Sequence, residues 1–265
     1  MALRARADWR PEVAGAIAEP IVRELLWADL GRVTCATALE LFEPARCRVR
    51  DGQADLLLLL EHEPVWTLGR NAPRGPDDPG ALRVERGGRL TWHGPGQIVG
   101  YPVIARERGA AGGVRAFVAA LEGGMIEVTQ LCGVAAIARP EAPGVWVHAP
   151  GDWRKLGSVG ISVRRGVTAH GFALNLDARA RRGFGERPPC DIDDARATSL
   201  ADEAGSAMPP FSWFAERLAS SLAARLKRRA VRLEGGAMLA RIRGNGTEGD
   251  GRERTAGLDS ALSGR

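Results

Sequence analysis

The sequence is organised around a glycine-rich stretch, Arg86-Gly87-Gly88-Arg89-Leu90-Thr91-Trp92-His93-Gly94-Pro95-Gly96-Gln97, which leads into the apolar run Ile98-Val99-Gly100-Tyr101-Pro102-Val103-Ile104. Five of the twelve leading residues are Gly or Pro, so we expect the backbone to bend sharply between two extended segments. The same loop presents an arginine, a threonine, an aromatic ring, a histidine and a glutamine. These features indicate a loop that lines a ligand site, although a structural turn around a half-buried histidine would show the same pattern.

Length and composition favour one globular domain. The chain has 265 residues, 45% of them hydrophobic, and its most apolar run, Leu56 to Leu60, is the size of a strand. This run is far short of the roughly 20 residues that span a bilayer, so we predict a soluble, cytoplasmic protein without a membrane segment. The net charge of +5 is a modest basic bias that does not indicate nucleic-acid binding.

Hydrophobic periodicity divides the chain into a loose arm over residues 1–18, a globular domain over 19–235 and a disordered tail over 236–265. Strands are predicted over 21–30, 55–62 and 65–70, helices over 30–47, 114–131 and 211–229, and polar loops over 71–80 and 177–189. Three further strands over 143–148, 156–163 and 167–176 are predicted to form an antiparallel meander. The leucine-rich strand should be central and buried on both faces.

Lysine is the rarest charged residue of this chain. Of 37 Lys and Arg residues, only Lys155 and Lys227 are lysine. Arginine keeps its proton in proteins whereas lysine can release it, so proton transfer is one reason to retain a lysine. Lys227 has an ordinary explanation at the end of the predicted helix over 211–229, where cations favour the helix dipole. Lys155 has no such explanation and is a candidate base.

The cysteines and histidines do not show metal-ligand spacing. Neither Cys35, Cys47, Cys132 and Cys190 nor His62, His93, His148 and His170 form a local ligand pattern, so we predict no metal and no disulfide framework. The first three cysteines are expected to be small buried apolar side chains. Cys190 follows two prolines on a polar loop and is a candidate nucleophile, although the adjacent Asp191 disfavours a thiolate.

Nucleotide-binding signatures are missing from the sequence. It contains neither GxxxxGK[ST] nor a GxGxxG between a strand and a helix, so the predicted chemistry needs no ATP and no cofactor. His93 and His170 each precede a glycine, and each could line a cleft or satisfy a turn.

Taken together, these motifs resemble the lipoyl(octanoyl) transferases, the lipoate-protein ligase B family. The matching segments, in the order of the family, are 57–70, 86–102, 142–147, 155–160, 167–176, Pro189-Cys190 and Thr198-Ser199-Leu200. The most specific of them is the signature Arg-Gly-Gly-x-x-Thr-aromatic-His-x-x-Gly-Gln over residues 86–97. The resemblance implies an α/β (α+β) domain of the biotin/lipoate ligase type over 19–235, with a mixed β-sheet flanked by helices.

The resemblance also implies an acyltransferase that moves an octanoyl group from octanoyl-acyl carrier protein to a lysine. That lysine belongs to a lipoyl domain of a 2-oxoacid dehydrogenase or to the glycine cleavage H protein. By the same analogy, Cys190 is the acyl-thioester nucleophile and Lys155 is its base. The implied substrate-binding residues are Arg86, Gly87, Gly88, Arg89, Leu90, Thr91, Trp92, His93, Ser158, Val159, Gly160, Gly171, Phe172 and Ala173.

The chemistry of the residues agrees with this family. Thioester exchange onto Cys190 is nearly isoenergetic and aminolysis of the thioester runs downhill, so no nucleotide is required. Small residues at Ser158, Gly160, Gly171 and Ala173 would leave room for a straight eight-carbon chain. Two clusters of arginines would complement an acidic carrier protein, or are simply a solvent-exposed face of an arginine-rich protein. They are Arg164, Arg165, Arg179, Arg181 and Arg182.

Some positions depart from the family pattern. Asp191 stands where the family usually has Gly, Glu63 stands where Pro is usual, and Leu156-Gly157 replaces the more common Ile-Ala. Two other functions stay open. An ATP-dependent lipoate or biotin ligase would share the fold but should carry an adenylate-binding loop, and a non-catalytic acyl-binding or scaffold protein would keep the cleft without the Cys190 and Lys155 pair.

Overall fold

The computed structural model describes residues 23–73, 80–106, 113–185, 189, 192 and 195–244. The predicted N-terminal arm, Cys190 and Asp191 lie outside the described residues. The strands are β1 Glu24–Val33, β2 Asp55–His62, β3 Val65–Leu68, β4 Leu82–Arg83, β5 Leu90–His93, β6 Gln97–Val103, β7 Ile137–Ala138, β8 Gly144–Ala149, β9 Asp152–Arg164, β10 Val167–Asn175, β11 Ala195–Ala197 and β12 Arg229–Arg232. The helices are α1 Cys35–Glu40, α2 Phe42–Arg50, α3 Gly113–Leu131, α4 Ala178–Phe184, α5 Leu200–Ala204, α6 Phe211–Arg225 and α7 Gly235–Arg243.

A mixed sheet forms the centre of the fold. Within the described ranges it has nine strands, in the order β12-β1-β2-β6-β10-β9-β8-β7, with β11 pairing beside β9. β1 is parallel to β12 and β2, whereas each pair from β2 across to β7 is antiparallel. β8, β9 and β10 form the predicted antiparallel meander. The predicted mixed sheet flanked by helices is confirmed.

The leucine run of β2 fills both faces of this sheet. Leu57 and Leu59 lie in the apolar layer that α3 and α6 cover, whereas Leu56, Leu58 and Leu60 lie in the layer that α1, α2 and α7 cover. Successive side chains of a strand point to opposite faces, so consecutive leucines supply two apolar layers at once. β2 pairs with β1 on one side and β6 on the other, which confirms the predicted central strand.

A second sheet, in the order β4-β3-β5, contains part of the glycine-rich stretch. Residues 90–93, predicted as loop, instead form β5 and pair antiparallel with β3. Leu90 and Trp92 are buried, and this burial on one face stabilises the strand between the two glycine-rich turns. Sharp bends are therefore confined to the turns on either side of β5.

Several predicted helix boundaries are corrected. The helix over 114–131 is confirmed as α3, but β1 continues to Val33, and Leu41 separates α1 from α2. α6 ends at Arg225, and Lys227 follows it with φ 56°, in the left-handed region. Lys227 therefore lies just beyond the last turn of α6, at the helix C-terminus, where a cation still favours the helix dipole.

The predicted polar loop over 177–189 contains a helix that sequence reasoning missed. The side chain of Asp177 caps α4 by accepting from the backbone N–H of Arg179 at 2.8 Å. Ala180 and Phe184 pack with Trp92 of β5. An aspartate followed by apolar residues four positions apart is the signal that would have identified this helix.

The predicted start of a disordered tail at residue 236 is wrong. α7 spans Gly235–Arg243, and its Met238 and Ile242 are buried in the same apolar layer as α2. These two side chains, four positions apart, lie on one face of the helix, so a short amphipathic segment is enough to extend the domain to Gly244. Residues 245–265 lie outside the described ranges.

Candidate active site

A narrow cavity of about 50 Å³, which we call the acyl cavity, lies between the two sheets. β9 and β10 form one wall, and the glycine-rich stretch forms the other. Except for Arg89, Leu90 and Trp92, every substrate-binding residue implied by the family resemblance lines this cavity. Residues far apart in sequence thus meet in one place, because β9 and β10 pair with Ser158 opposite Ala173 and Gly160 opposite Gly171.

The alternation of β5 explains why the contiguous run over 86–93 lines the cavity only in part. Thr91 and His93 face the cavity, whereas Leu90 and Trp92 face away from it. Trp92 packs instead on α4, and Arg89 is exposed. The hydroxyl of Thr91 is buried and makes no hydrogen bond within the described ranges.

Arg86 holds the glycine-rich turn against β3. Its Nη1 donates to the carbonyl oxygens of Gly87 at 3.0 Å and Arg89 at 2.9 Å. Its Nη2 donates to the carbonyl oxygen of Thr67 at 2.8 Å and to Thr67 Oγ1 at 2.7 Å. The rigid guanidinium fork spans four acceptors at once, which fixes the shape of the turn that borders the cavity.

His93 begins a chain of buried hydrogen bonds. Its Nδ1 donates to Gln97 Oε1 at 2.6 Å, Gln97 Nε2 donates to Asn175 Oδ1 at 2.8 Å, and Asn175 Nδ2 donates to the carbonyl oxygen of Thr198 at 2.8 Å. The backbone N–H of Thr198 donates to the carbonyl oxygen of Lys155 at 3.0 Å. This chain therefore links the cavity to the strand that carries Lys155.

The buried histidines His93 and His62 are neutral. Burial lowers the pKa of His93 to about 3, so its ring stays uncharged at neutral pH. His62 Nδ1 donates to the carbonyl oxygen of Val33 at 2.9 Å, and burial also lowers its pKa. His62 Nε2 therefore accepts from the hydroxyl of Tyr101 at 2.7 Å.

The other titratable groups that line the cavity are also uncharged at neutral pH. Burial raises the pKa of the Cys35 thiol to about 11 and raises that of Tyr101. Burial, followed by the charge of Arg86, lowers the pKa of His170 to about 3. Arg86 is thus the charged group of the lining, and its guanidinium faces backbone oxygens. The cavity suits an uncharged, largely apolar ligand.

Lys155 lies on β9, three residues before the cavity residue Ser158, and is only 3% exposed. Its Nζ donates to the carbonyl oxygen of Pro143 at 3.3 Å and lies 4.8 Å from the centre of the Trp146 ring. A Cβ at Gly144 would be 2.4 Å from the carbonyl oxygen of Gly157 and 3.0 Å from Lys155 Cε. Glycine is therefore required at 144 first by the backbone of Gly157, and its lack of a side chain also leaves room for Lys155.

Glu122 fixes the turn beside Lys155. The backbone N–H of Gly144 donates to Glu122 Oε1 at 2.8 Å. Burial raises the pKa of the Glu122 carboxyl, and the Gly144 hydrogen bond and the charge of Lys155 oppose that rise. Glu122 thus acts on Lys155 through the turn as well as through its charge.

The predicted nucleophile Cys190 lies outside the described residues. The chain after it returns to Lys155, since β11 begins at Ala195 and pairs in parallel with residues 153–155 of β9. β11 lies beside the first residues of β9, and β10 pairs with the later ones from Gly157 onward.

Sequence reasoning did not single out several residues of the cavity lining, namely Cys35, Thr67, Val84, Val99 and Tyr101. Tyr101 carried a usable signal, because it is the one tyrosine of the chain and its hydroxyl interrupts an apolar run. Cys35 carried none, because only the fold brings α1 to the glycine-rich stretch. His170, considered as a cleft residue, does line the cavity.

Other predictions concern metals, thiols and membranes. In the described ranges no three His, Cys, Asp or Glu residues lie together as a possible metal site. Cys35, Cys47 and Cys132 are free thiols; Cys35 is buried, as expected, whereas Cys47 and Cys132 are only half-buried. None of the helices in the described part of the chain is long and apolar enough to cross a membrane.

Residues 36–223 match the model of a family described as the lipoyl protein ligase A/B catalytic domain. The chain belongs to this family. Three relatives, all octanoyltransferases, come from Acidothermus cellulolyticus, Geobacter metallireducens and Desulfovibrio desulfuricans. The first is 42% identical over 164 residues, covering 60% of this chain and 72% of the relative. The second is 42% identical over 185 residues, covering 68% of this chain and 84% of the relative. The third is 38% identical over 195 residues, covering 70% of this chain and 80% of the relative.

These relatives confirm the resemblance to the octanoyltransferases, and the protein is an acyltransferase. Solved structures confirm the fold. A lipoate-protein ligase A bound with ATP superposes with a TM-score of 0.59 at 13% identity, covering 84% of this chain and 94% of that one. A bipartite lipoate protein ligase from Thermoplasma acidophilum superposes with a TM-score of 0.57 at 13% identity, covering 84% of this chain and 91% of that one. At this identity the likeness concerns the α/β fold alone.

Proposed function

We propose that this protein transfers an octanoyl group from octanoyl-acyl carrier protein to a lysine of a lipoyl domain, through a thioester on Cys190. The acceptors would be 2-oxoacid dehydrogenases or the glycine cleavage H protein, in the cytoplasm. The observation that carries the proposal is the acyl cavity on the strand of Lys155, lined by residues of the family signature and by titratable groups that are uncharged apart from Arg86. The names of the relatives support octanoyl as the group that is moved.

The shape of the cavity favours an unbranched chain. The cavity is narrow, so a ligand must push its walls apart, and a straight chain requires the least widening. With the carbonyl carbon towards Lys155, the chain would pass Ser158 and Gly160 and direct its methyl end towards Tyr101 and His170.

The first step forms the acyl-enzyme. Lys155 in its neutral form takes the thiol proton of Cys190, and the sulfur attacks the carbonyl carbon of the donor thioester. A carbon–sulfur bond to Cys190 forms and the bond to the carrier sulfur breaks. Lys155 then returns the proton to the departing carrier thiolate, so the step is balanced without a nucleotide.

The second step forms the amide. The neutral amine of the acceptor lysine attacks the acyl carbon, a carbon–nitrogen bond forms, and the bond to the Cys190 sulfur breaks. Lys155 relays the proton from the amine to the Cys190 thiolate. Two protein partners can therefore use one cavity in turn.

Exposed arginines of α4 are the proposed docking site for the acidic carrier protein. Arg179 pairs with Asp177 at 2.8 Å, and Arg181 pairs with Asp202 at 2.8 Å. Because these aspartates offset part of the positive charge, we expect carrier docking to be weak and sensitive to salt.

Intact-mass spectrometry tests the proposal directly. Wild type and Cys190→Ser would be incubated with octanoyl-acyl carrier protein in the absence of ATP. We expect an octanoyl adduct on the wild type that hydroxylamine removes, and no thioester on the variant. If no adduct forms, and lipoyl domains are modified only when ATP and free octanoic acid are supplied, the protein is a ligase and the proposal fails.

A further inference from the structure

A second cleft, of about 480 Å³, lies beside the acyl cavity. We call it the arginine cleft and define it by Arg46, Arg70, Arg83 and Arg164, together with the apolar side chains of Leu39, Phe42 and Val84. It shares Val84 and His170 with the acyl cavity. His170 pairs with Ile161, further along β9 from Lys155 than Ser158, so the cleft lies at the end of the cavity remote from Lys155.

Arg46 of α2 is the buried member of the cleft, with 5% exposure. Its Nη2 donates to Ser162 Oγ, and its Nη1 lies 3.6 Å from a carboxylate oxygen of the exposed Glu85. Its Nε is buried and makes no hydrogen bond within the described ranges. A buried guanidinium without a full set of acceptors is costly, and the Arg46 side chain lines the cleft, so an anion bound there would offset its charge.

The rim of the cleft is also positive. Arg70 makes no side-chain hydrogen bond or ion pair among the described residues, and Arg83 donates to the carbonyl oxygen of Pro73 at 3.2 Å. Arg164 lies 3.8 Å from Glu43, and both side chains are more than half exposed. An ion pair between two such exposed side chains contributes little to stability and neutralises Arg164 only weakly.

The charges of the cleft do not cancel. Glu43 and Glu85 are its two carboxylates, set against four guanidinium groups. The low pKa of His170 has burial as its first cause, followed by the charges of Arg86, Arg46 and Arg70, which agrees with a positive field in the cleft.

We propose that the arginine cleft binds a free medium-chain fatty acid, with its carboxylate on Arg46 and Arg70 and its chain along Leu39, Phe42 and Val84. Guanidinium forks match a carboxylate in geometry. The two glutamates of the rim repel a phosphate dianion more strongly than a monoanion, and the apolar wall accepts an aliphatic chain. A cleft of this size is in the range of small-molecule sites.

Calorimetric titration of the full-length protein with octanoate tests this proposal without any carrier protein, so its outcome is independent of the proposed transfer. Arg70→Met removes an exposed side chain, and Arg46→Met removes the buried one. Arg115→Met on α3, exposed and remote from the cleft, is the matched control. We expect octanoate to bind at least tenfold more weakly to Arg70→Met and Arg46→Met, and with unchanged affinity to Arg115→Met.

The comparison ligands are octan-1-ol and inorganic phosphate. We expect octan-1-ol to bind at least tenfold more weakly than octanoate, and phosphate to bind more weakly still. If Arg46→Met does not fold, the octanoate affinity of Arg70→Met alone tests the proposal. Unchanged octanoate affinity in Arg70→Met would place the acid elsewhere and overturn the proposal, as would equal binding of octan-1-ol or tighter binding of phosphate.

Discussion

Arg86 and Lys155 are buried basic side chains that donate to backbone carbonyl oxygens. Arg86 reaches the carbonyls of Gly87, Arg89 and Thr67, and Lys155 reaches the carbonyl of Pro143. A carbonyl acceptor orients a donor without adding a full opposite charge. Arg86 therefore shapes the wall of the cavity, and the Lys155 amine is held in a fixed direction for its proposed role as a base.

Replacing Lys155 with arginine tests that role. Arginine keeps the positive charge but cannot release its proton, so we expect Lys155→Arg to lower the rate of acyl-enzyme formation by about 100-fold or more. Rapid-quench single-turnover assays with octanoyl-acyl carrier protein measure this rate. Lys227→Arg, the same change at the only other lysine, should leave the rate unchanged, and near-normal activity of Lys155→Arg would exclude it as the base.

Replacing Arg86 with lysine tests the geometry of the glycine-rich turn. A lysine has one nitrogen and cannot reach all four acceptors, so we expect the turn to loosen in Arg86→Lys. Hydrogen exchange should accelerate at the amides of Gly69, Arg70 and Asn71, which donate to carbonyls of residues 86–89. Arg89→Lys, at an exposed position of the same turn, is the control. Unchanged exchange in Arg86→Lys would contradict this account.

Strands β9 and β10 place Gly160 directly opposite Gly171, but the two positions require glycine for different reasons. A Cβ at Gly160 would meet Arg86 Cδ at 3.1 Å and the carbonyl oxygen of Gly87 at 3.2 Å, on the cavity side. A Cβ at Gly171 would lie 2.1 Å from the carbonyl oxygen of Gly100. The sequence suggested that both leave room for an acyl chain, whereas Gly171 is required first by sheet packing.

The matched pair Gly160→Ala and Gly171→Ala separates these two demands. We expect Gly160→Ala to fold and to favour hexanoyl over octanoyl donors, because its methyl group narrows the cavity beside Arg86. We expect Gly171→Ala to lose about 3 kcal/mol of unfolding free energy through overpacking against backbone. Urea unfolding and initial rates with donors of both chain lengths measure these effects. Equal stability of the two variants would refute the assignment.

At the scale of the whole domain, burial keeps two histidines of the acyl cavity uncharged in the folded protein. His93 and His170 have pKa values of about 3 in the folded protein, and burial is the first cause for each, against about 6.5 in an unfolded chain. Between these values the unfolded chain binds protons that the folded chain does not. Stability is therefore undiminished by these groups above pH 6.5 and falls as the pH drops from 6.5 towards 3.

We expect the free energy of unfolding to decrease by about 2 kcal/mol per histidine between pH 7 and pH 5. Urea denaturation across this interval measures the change. Carboxyls with lowered pKa values, such as Asp152 at about 2, matter only nearer pH 4. Glu122, whose pKa burial raises, adds stability as the pH falls and opposes part of the decrease, so a histidine variant is the decisive comparison. His170→Asn suits the left-handed φ of 55° at this position and should flatten the pH dependence by one histidine. The same slope in wild type and variant would contradict the prediction.

Several features of this protein could be predicted from local sequence patterns. The leucine run predicted a strand buried on both faces, the alternating segments over 143–176 predicted the meander, and the motif over 86–97 identified the family. The rarity of lysine singled out Lys155. Each of these follows from periodicity, turn chemistry or residue type within a short window, which the fold did not overrule.

Contacts between distant segments could be identified only in the folded structure. The pairing of β3 with β5 determined which side chains of the glycine-rich stretch face the cavity, and the packing of α1 brought Cys35 into its lining. The chain of hydrogen bonds from His93 to Asn175 and the meeting of Arg46 with Arg70 in one cleft depend on contacts between distant segments. Such contacts follow from strand order and helix packing, which no local pattern specifies.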